Sequence, residues 1–303
     1  MIATFCWRDP DGEERTSRTR HVYLDANGIT DRSRLEQAAL SRLPGTDLWS
    51  LSIEVPEKWR GAYRFIPRTE TATVTGDTPG WQWWRSVLAD AQSDPFNPLP
   101  TRVVQIGDSS EAVMPAAPVQ LWWTDRPGRG VLHETTFTLS GTRRSVWVYE
   151  PPGLTARNRP VVMVDSVGPE LRSEELGCSA AFASGLAGEL LPWLRREWGA
   201  TDDSASTIVA GCSLSGSFWW PGSGPGVPFQ DRVRATPPSD SRFSVEVGTL
   251  EWMLVEPNRE VRDLLVGTGH DVRYREFCGG HDVLHWRDGL IAGVASMLER
   301  TDR

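Results

Sequence analysis

Apolar and polar residues alternate in four short runs near the start of the chain: Thr4 to Trp7, His21 to Leu24, Trp49 to Val55 and Ala62 to Ile66. A period of two predicts half-buried strands, and the turn clusters Asp9-Pro-Asp-Gly and Leu43-Pro-Gly-Thr separate them. Residues 1–70 therefore read as a small β-sandwich domain. From Thr71 to Arg129 the periodicity fades into Pro, Asp and Gly, as in Asp94-Pro-Phe-Asn-Pro, Ala117-Pro and Arg126-Pro-Gly. Residues 71–130 read as a linker tethered by its tryptophans. A second domain is expected over 131–303. It opens on a hairpin, His133 to Leu139 and Arg144 to Tyr149 around Ser140-Gly-Thr. Short apolar runs then alternate with helical spacing. Val161-Val-Met-Val, Thr207-Ile-Val-Ala, Phe243 to Val247 and Val272 to Phe277 read as strands. Ala180 to Trp198, Pro257 to Gly267 and Leu284 to Arg300 read as helices. Such alternation predicts an α/β class with a mainly parallel sheet.

Composition narrows the classes of function. The 303 residues are 39% apolar, enough for a buried core, and carry 32 basic against 40 acidic side chains, a formal charge of −8. The cations are scattered, which argues against nucleic-acid binding. Cys6, Cys178, Cys212 and Cys278 show no metal spacing and read as free thiols of a reducing compartment. Arg8 and Asp9 interrupt any signal-peptide core, and no run approaches the length of a membrane helix. A cytoplasmic protein with no membrane partner, no metal and no cofactor is expected. The 15 tryptophans, several in near-pairs such as Trp122/Trp123 and Trp219/Trp220, read first as core.

The sharpest chemical signal is Gly211-Cys-Ser213-Leu-Ser215, directly after an apolar strand. A nucleophile elbow needs small residues two before and two after its serine; Gly211 satisfies this, and Ser215 does so less well. His281 follows a strand and two glycines near the C-terminus, the place for a general base, since imidazole titrates near neutrality. His285 falls inside the last predicted helix, and His21, His133 and His270 read as structural or solvated. The orienting acid is expected between serine and histidine. Glu251, after a strand and Val247-Gly-Thr-Leu, fits that position, with a solvated surface carboxylate as the alternative.

Longer stretches resemble a known family, the enterochelin (enterobactin) esterases. The C-terminal half is similar in Gly248-Thr-Leu-Glu-Trp-Met-Leu, Asn258-Arg, and Tyr274-Arg-Glu-Phe-Cys-Gly-Gly-His-Asp with Trp286-Arg. Phe5-Cys-Trp-Arg-Asp-Pro, Leu43-Pro-Gly-Thr-Asp-Leu-Trp and Trp59-Arg-Gly-Ala-Tyr-Arg-Phe resemble its N-terminal β domain, and Asp94-Pro-Phe-Asn-Pro its linker. Val146-Trp-Val-Tyr-Glu-Pro-Pro-Gly, Arg172-Ser-Glu-Glu-Leu-Gly-Cys and Glu189-Leu-Leu-Pro-Trp resemble its esterase domain. The resemblance implies an α/β-hydrolase fold and hydrolysis of the esters of a ferric catecholate siderophore in the cytoplasm, releasing iron. It implies Ser213 as nucleophile, His281 as base and Glu251 as acid. It further implies Arg172, the Leu214 amide and Trp219 as substrate contacts, with a salt bridge to Glu175 as the alternative for Arg172.

The resemblance breaks in two places. The family carries a helix and a strand between the elbow serine and a Ser-Gly-Ser-aromatic-Trp-Trp segment, whereas Leu214 here runs directly into Ser215-Gly-Ser-Phe-Trp-Trp. Between Pro152 and Asp165 the family has two strands with a loop and helix between them, and this chain has one apolar run. A parallel crossover needs a dozen or more residues, so the pieces cannot be absorbed by tighter turns. Weak or absent hydrolysis is therefore expected. A catalytically silent binding member of the family and a general carboxylesterase stand as the alternatives.

Overall fold

The computed structural model describes residues 1–31, 34–70, 86–88, 90–100, 102–103, 107–120, 129–153, 161–163, 179–203, 207–209, 212–218, 229–235, 237 and 241–298. At 35, 102–103, 161–163, 207–209 and 212–213 it describes the backbone alone. The chain packs into two compact units. One comprises Met1–Gln120, Val247–Val255 and Glu276–Asp288; the other comprises Leu121–Glu246, Glu256–Arg275 and Gly289–Arg303.

In the first unit the alternating runs become strands β1 (Ile2–Arg8), β2 (His21–Ala26), β3 (Ser41–Arg42), β4 (Leu48–Glu54) and β5 (Arg60–Arg68). Strands β6 (Arg102–Val103) and β7 (Asp108–Val113) complete it. They form two antiparallel sheets, ordered β1-β4-β3 and β2-β5-β7-β6. Phe5, Trp7 and Trp49 of the first sheet share one core with Val22, Leu24, Tyr63 and Phe65 of the second. The period-two pattern explains this: Phe5 and Trp7 turn inward while Thr4, Cys6 and Arg8 between them do not. Tyr63 meets Phe5 edge-on at 5.1 Å and Phe65 at 5.8 Å. Such pairs are worth about 0.5–1.5 kcal/mol each beyond area burial.

β6 and β7 correct the linker reading of residues 71–130. β7 is an inner strand of its sheet, yet three of the four residues it buries are polar, Ser109, Ser110 and Glu111, beside Ala112. Ser110 Oγ accepts the Asp94 N–H at 2.7 Å, and Glu111 faces Arg60 at 3.3 Å. Buried polar residues with partners carry no hydrophobic period, so the strand is silent in the sequence.

The second unit opens on the hairpin of β8 (Val131–Leu139) and β9 (Thr142–Glu150), closed by Ser140 at φ 48° and Gly141 at φ 83°. Two left-handed residues make the tight turn that suits strand twist. Phe137 and His133 of β8 pack on Trp193 and Trp198 at 5.0 and 4.9 Å. Those tryptophans lie on the expected helix over 180–198, which divides into α1 (Ala180–Gly185), one π turn (Leu186–Leu190) and α2 (Leu191–Trp198). Pro192, which has no N–H to give, lies just past the π turn and accounts for the irregular ladder. Ser179 caps the start, accepting the Phe182 N–H, and left-handed Gly199 ends it.

β10 (Val161–Met163) and β11 (Thr207–Val209) pair in parallel, as do β12 (Cys212–Leu214) and β13 (Arg242–Gly248). Around them the chain alternates: α3 (Phe229–Ala235) precedes β13, and α4 (Val255–Gly267), β14 (Asp271–Phe277) and α5 (Val283–Leu298) follow. The sheet order is β12-β13-β14. Val233, Val261 and Leu265 form a core with Phe218, Phe229, Phe243 and Val272. No helix among the described residues is long and apolar enough to cross a membrane.

Candidate active site

Two loops, one after β13 and one after β14, build a carboxylate–imidazole pair within the first unit. β13 ends at Gly248, and the chain turns through Thr249 and Leu250 into Glu251. Thr249 N–H donates to the Phe277 carbonyl at 2.8 Å and Leu250 N–H to that of Gly279 at 3.1 Å, which ties the loops together. Glu251 Oε2 accepts the Gly248 N–H at 2.7 Å, and Oε1 lies 2.6 Å from His281 Nδ1. The carboxylate side chain is 2% exposed and the imidazole 42%.

That contrast defines the chemistry. An ionised carboxylate only accepts, so Nδ1 donates and the lone pair is left on Nε2 of a ring that reaches solvent. Trp286 stands edge-on to the ring at 4.5 Å. Two sides of the imidazole are thus fixed while Nε2 is available to take a proton, the arrangement that a general base requires.

The remaining histidines have other engagements. His285 lies inside α5, its Nε2 bonded to the Arg60 carbonyl at 2.8 Å and its ring stacked on Phe277 at 4.3 Å. His133 meets Glu150 at 2.7 Å, His21 stacks on Tyr23, and His270 stands edge-on to Phe243. Beside the pair, burial pushes the Cys278 thiol above the ordinary thiol range, with smaller opposing effects from Lys58 and a Thr249 hydrogen bond.

The structure brings Glu251 and His281 together; the other expected site residues are distributed as follows. Arg172 and Trp219 lie outside the described residues. Ser213 is described by its backbone, in the middle of β12 and in parallel register with Val245. Its extended ladder conformation differs from the sharp elbow expected at that position. The left-handed backbone falls two residues later, at Ser215, with φ 59°, at the carboxyl end of β12. Ser215 is buried and donates its N–H to the Glu246 carbonyl at 2.7 Å. Leu214, half-buried, pairs with Glu246, whose carboxylate takes Arg275 in a two-pronged ion pair at 2.9 and 2.7 Å.

Residues that sequence reasoning did not single out also hold the His281 loop. Asn27 Nδ2 donates to the His281 carbonyl at 2.8 Å, and the buried Asp282 Oδ2 accepts the Ala62 N–H at 2.6 Å. The signal in the sequence is the polar Asp282 just before the helix predicted from Leu284, where Asp caps. Elsewhere in the unit, a cavity of about 570 Å³ is lined by Phe5, Tyr63, Asp94, Phe96 and Asn97 among others, and by neither Glu251 nor His281.

Known proteins share this architecture. A family model described as "Enterochelin esterase, N-terminal" matches residues 2–123. The iron(III) enterobactin esterase of Dickeya dadantii is 31% identical over 386 positions, covering 99% of this chain and 88% of the relative. That span exceeds the 303 residues of this chain, so the relative carries stretches with no counterpart here. The iron(III) enterobactin esterase of Escherichia coli K12 is 27% identical, covering 98% of this chain and 91% of the relative. Among solved structures, the ferric enterobactin esterase of Salmonella typhimurium superposes with a TM-score of 0.83 at 26% identity, covering 98% of this chain and 93% of that one. The Shigella flexneri enzyme in the presence of enterobactin gives 0.81 at 26%, covering 98% and 92%. With a relative above 30% identity matched along nearly its whole length, and with an α/β-hydrolase-type fold, this chain belongs to the enterobactin esterase family of ester hydrolases.

Proposed function

We propose that this protein is a serine esterase that hydrolyses the ester bonds of a ferric catecholate siderophore of the enterobactin kind, working slowly in the cytoplasm to release iron. The observation that carries the reading is the 2.6 Å contact between buried Glu251 and half-exposed His281. His281 Nε2 takes the Ser213 hydroxyl proton as Oγ bonds to the ester carbonyl carbon and the carbonyl electron pair moves to oxygen. The Leu214 amide donates to that oxyanion, and Arg172 and Trp219 hold the anionic, aromatic substrate. Collapse breaks the carbon–oxygen bond of the ester, and the imidazolium returns its proton to the leaving alkoxide. Water repeats the sequence, giving the free acid and restoring the serine. Glu251 keeps the imidazole in the Nδ1-protonated tautomer throughout. Opening a cyclic triester separates chelating arms that had been held at high effective concentration, which weakens their grip on iron.

Slowness follows from the missing segments. In the family the loop missing between Pro152 and Asp165 supplies one oxyanion donor, and loss of one such donor costs about 10²- to 10³-fold in rate. The iron(III) enterobactin esterases of Dickeya dadantii and Escherichia coli K12 carry stretches that this chain lacks. The backbone at Ser215 favours a second reading, in which the strained residue at the end of β12 is the nucleophile. A fluorophosphonate probe followed by peptide mapping separates the readings, because only an activated serine reacts. An adduct on Ser213 supports the first and one on Ser215 the second; no adduct on either favours a silent binding protein.

A further inference from the structure

We propose that Asn27 and Asp282 are positioning residues that make the N-terminal β sheets part of the catalytic machinery, by holding the loop that presents His281. The inference rests on His281 being the general base.

Residues 279–286 are gripped from two directions. From the hydrolase side, Glu251 fixes the His281 ring through Nδ1 and Trp286 walls it edge-on at 4.5 Å. From the β-sheet side, the contacts fall on the His281 carbonyl, on the Asp282 carboxylate and on His285, whose Nε2 meets the Arg60 carbonyl at 2.8 Å. The Asn27 side-chain amide donates to the His281 carbonyl at 2.8 Å, and the Asn27 main-chain carbonyl accepts Trp59 Nε1–H at 3.2 Å, so the anchor is itself anchored to a wholly buried indole. Asp282, 3% exposed, divides its carboxylate: Oδ2 accepts the Ala62 N–H at 2.6 Å and Oδ1 the Leu284 N–H at 3.0 Å. One side chain therefore caps α5 and binds β5 together. Ala62 in turn accepts the Asn27 N–H at 2.9 Å, which closes a ring of bonds around the loop.

Charge-assisted bonds to backbone N–H groups are short and strong, and a buried carboxylate that loses one is left uncompensated. The loop thus has little freedom to rotate the imidazole. Both partners lie more than 200 residues from the loop in sequence. Supporting residues of this kind typically contribute about 10- to 100-fold to activity, and a 1 Å displacement of a reacting group costs about 100-fold.

The test is ¹⁵N-histidine NMR of the full chain, with the His281 signals assigned by their absence in His281→Gln, alongside ester turnover and thermal melting. Wild type is expected to show the Nδ1-protonated tautomer at His281. Asn27→Ala and Asp282→Ala are expected to lose that tautomer bias and to lower kcat about 10- to 100-fold at unchanged KM. Asp282→Asn, which keeps an oxygen for the Ala62 N–H, is expected to recover part of both. Unchanged His281 signals in Asn27→Ala and Asp282→Ala, with only the melting temperature lowered, would show the contacts to be structural and overturn the proposal. The base reading fails separately, if His281→Gln turns over ester at the wild-type rate. The NMR readout decides the positioning role even where turnover is too slow to follow.

Discussion

Gly280→Ala should disturb the His281 loop far more than one methyl group suggests. A Cβ at Gly280 would overlap Asn27 Oδ1 and stand 2.8 Å from both Cα and N of Gly28. Gly28 cannot retreat easily. It holds φ 76°, and a Cβ there would meet Gly280 Cα at 2.9 Å, so two glycine backbones touch with no room for a side chain on either. Overpacking against backbone costs about 1–3 kcal/mol, and displacing the Asn27 amide from the His281 carbonyl adds about 1 kcal/mol. The sum, about 2–4 kcal/mol, corresponds to a fall of roughly 4–16 °C in Tm for a unit of this size. Gly188→Ala supplies the control, since nothing lies within 4 Å of its added Cβ in the π turn. It should be neutral or raise stability by up to about 1 kcal/mol. Calorimetry of the two variants checks both signs in one assay. A Gly280→Ala protein that melts within about 1 °C of wild type would refute the close approach of the two loops.

Three further outcomes are expected. Glu251→Gln should lower kcat by about 10⁴-fold while KM holds, because an amide no longer fixes the imidazole tautomer, and steady-state kinetics reads it directly. Asp25→Ala should cost about 3–5 kcal/mol in denaturant unfolding, because it removes the carboxylate that pairs with the Arg64 guanidinium at 3.0 Å with both side chains buried. Burial raises the Cys278 pKa by disfavouring its thiolate, so iodoacetamide labelling of Cys278 should be slow at neutral pH and accelerate only above the ordinary thiol range, as peptide mass mapping would show.

Wherever hydrophobic period carried the information, sequence and structure agree. β1, β2, β4 and β5, the β8–β9 hairpin and the strand–helix alternation after residue 242 all declare themselves through apolar spacing. β7 does not, since Ser110 and Glu111 are buried by pairing with Asp94 and Arg60, which no local pattern records. At the candidate site, Glu251 and His281 were legible as residue types in suitable loops, and their 2.6 Å contact supplies the geometry. Gly279 and Gly280 were legible as glycines, but the reason for them was not. A Cβ on Gly279 would overlap His285, and one on Gly280 would overlap Asn27, whose close approach arises only in the folded chain. Asn27 and Asp282 stayed hidden for the same cause: their partners lie 254 and 220 residues away. Ser213 shows the converse. Its motif suggested a turn, yet pairing with β13 holds it extended and moves the left-handed residue to Ser215.

The claim that this chain hydrolyses a catecholate siderophore through His281 is tested most directly by incubating it with ferric enterobactin and quantifying 2,3-dihydroxy-N-benzoylserine by chromatography. Slow release above the protein-free blank, reduced to that blank by His281→Ala, is the predicted result. No release by the wild-type chain, or equal release by both proteins, would contradict it.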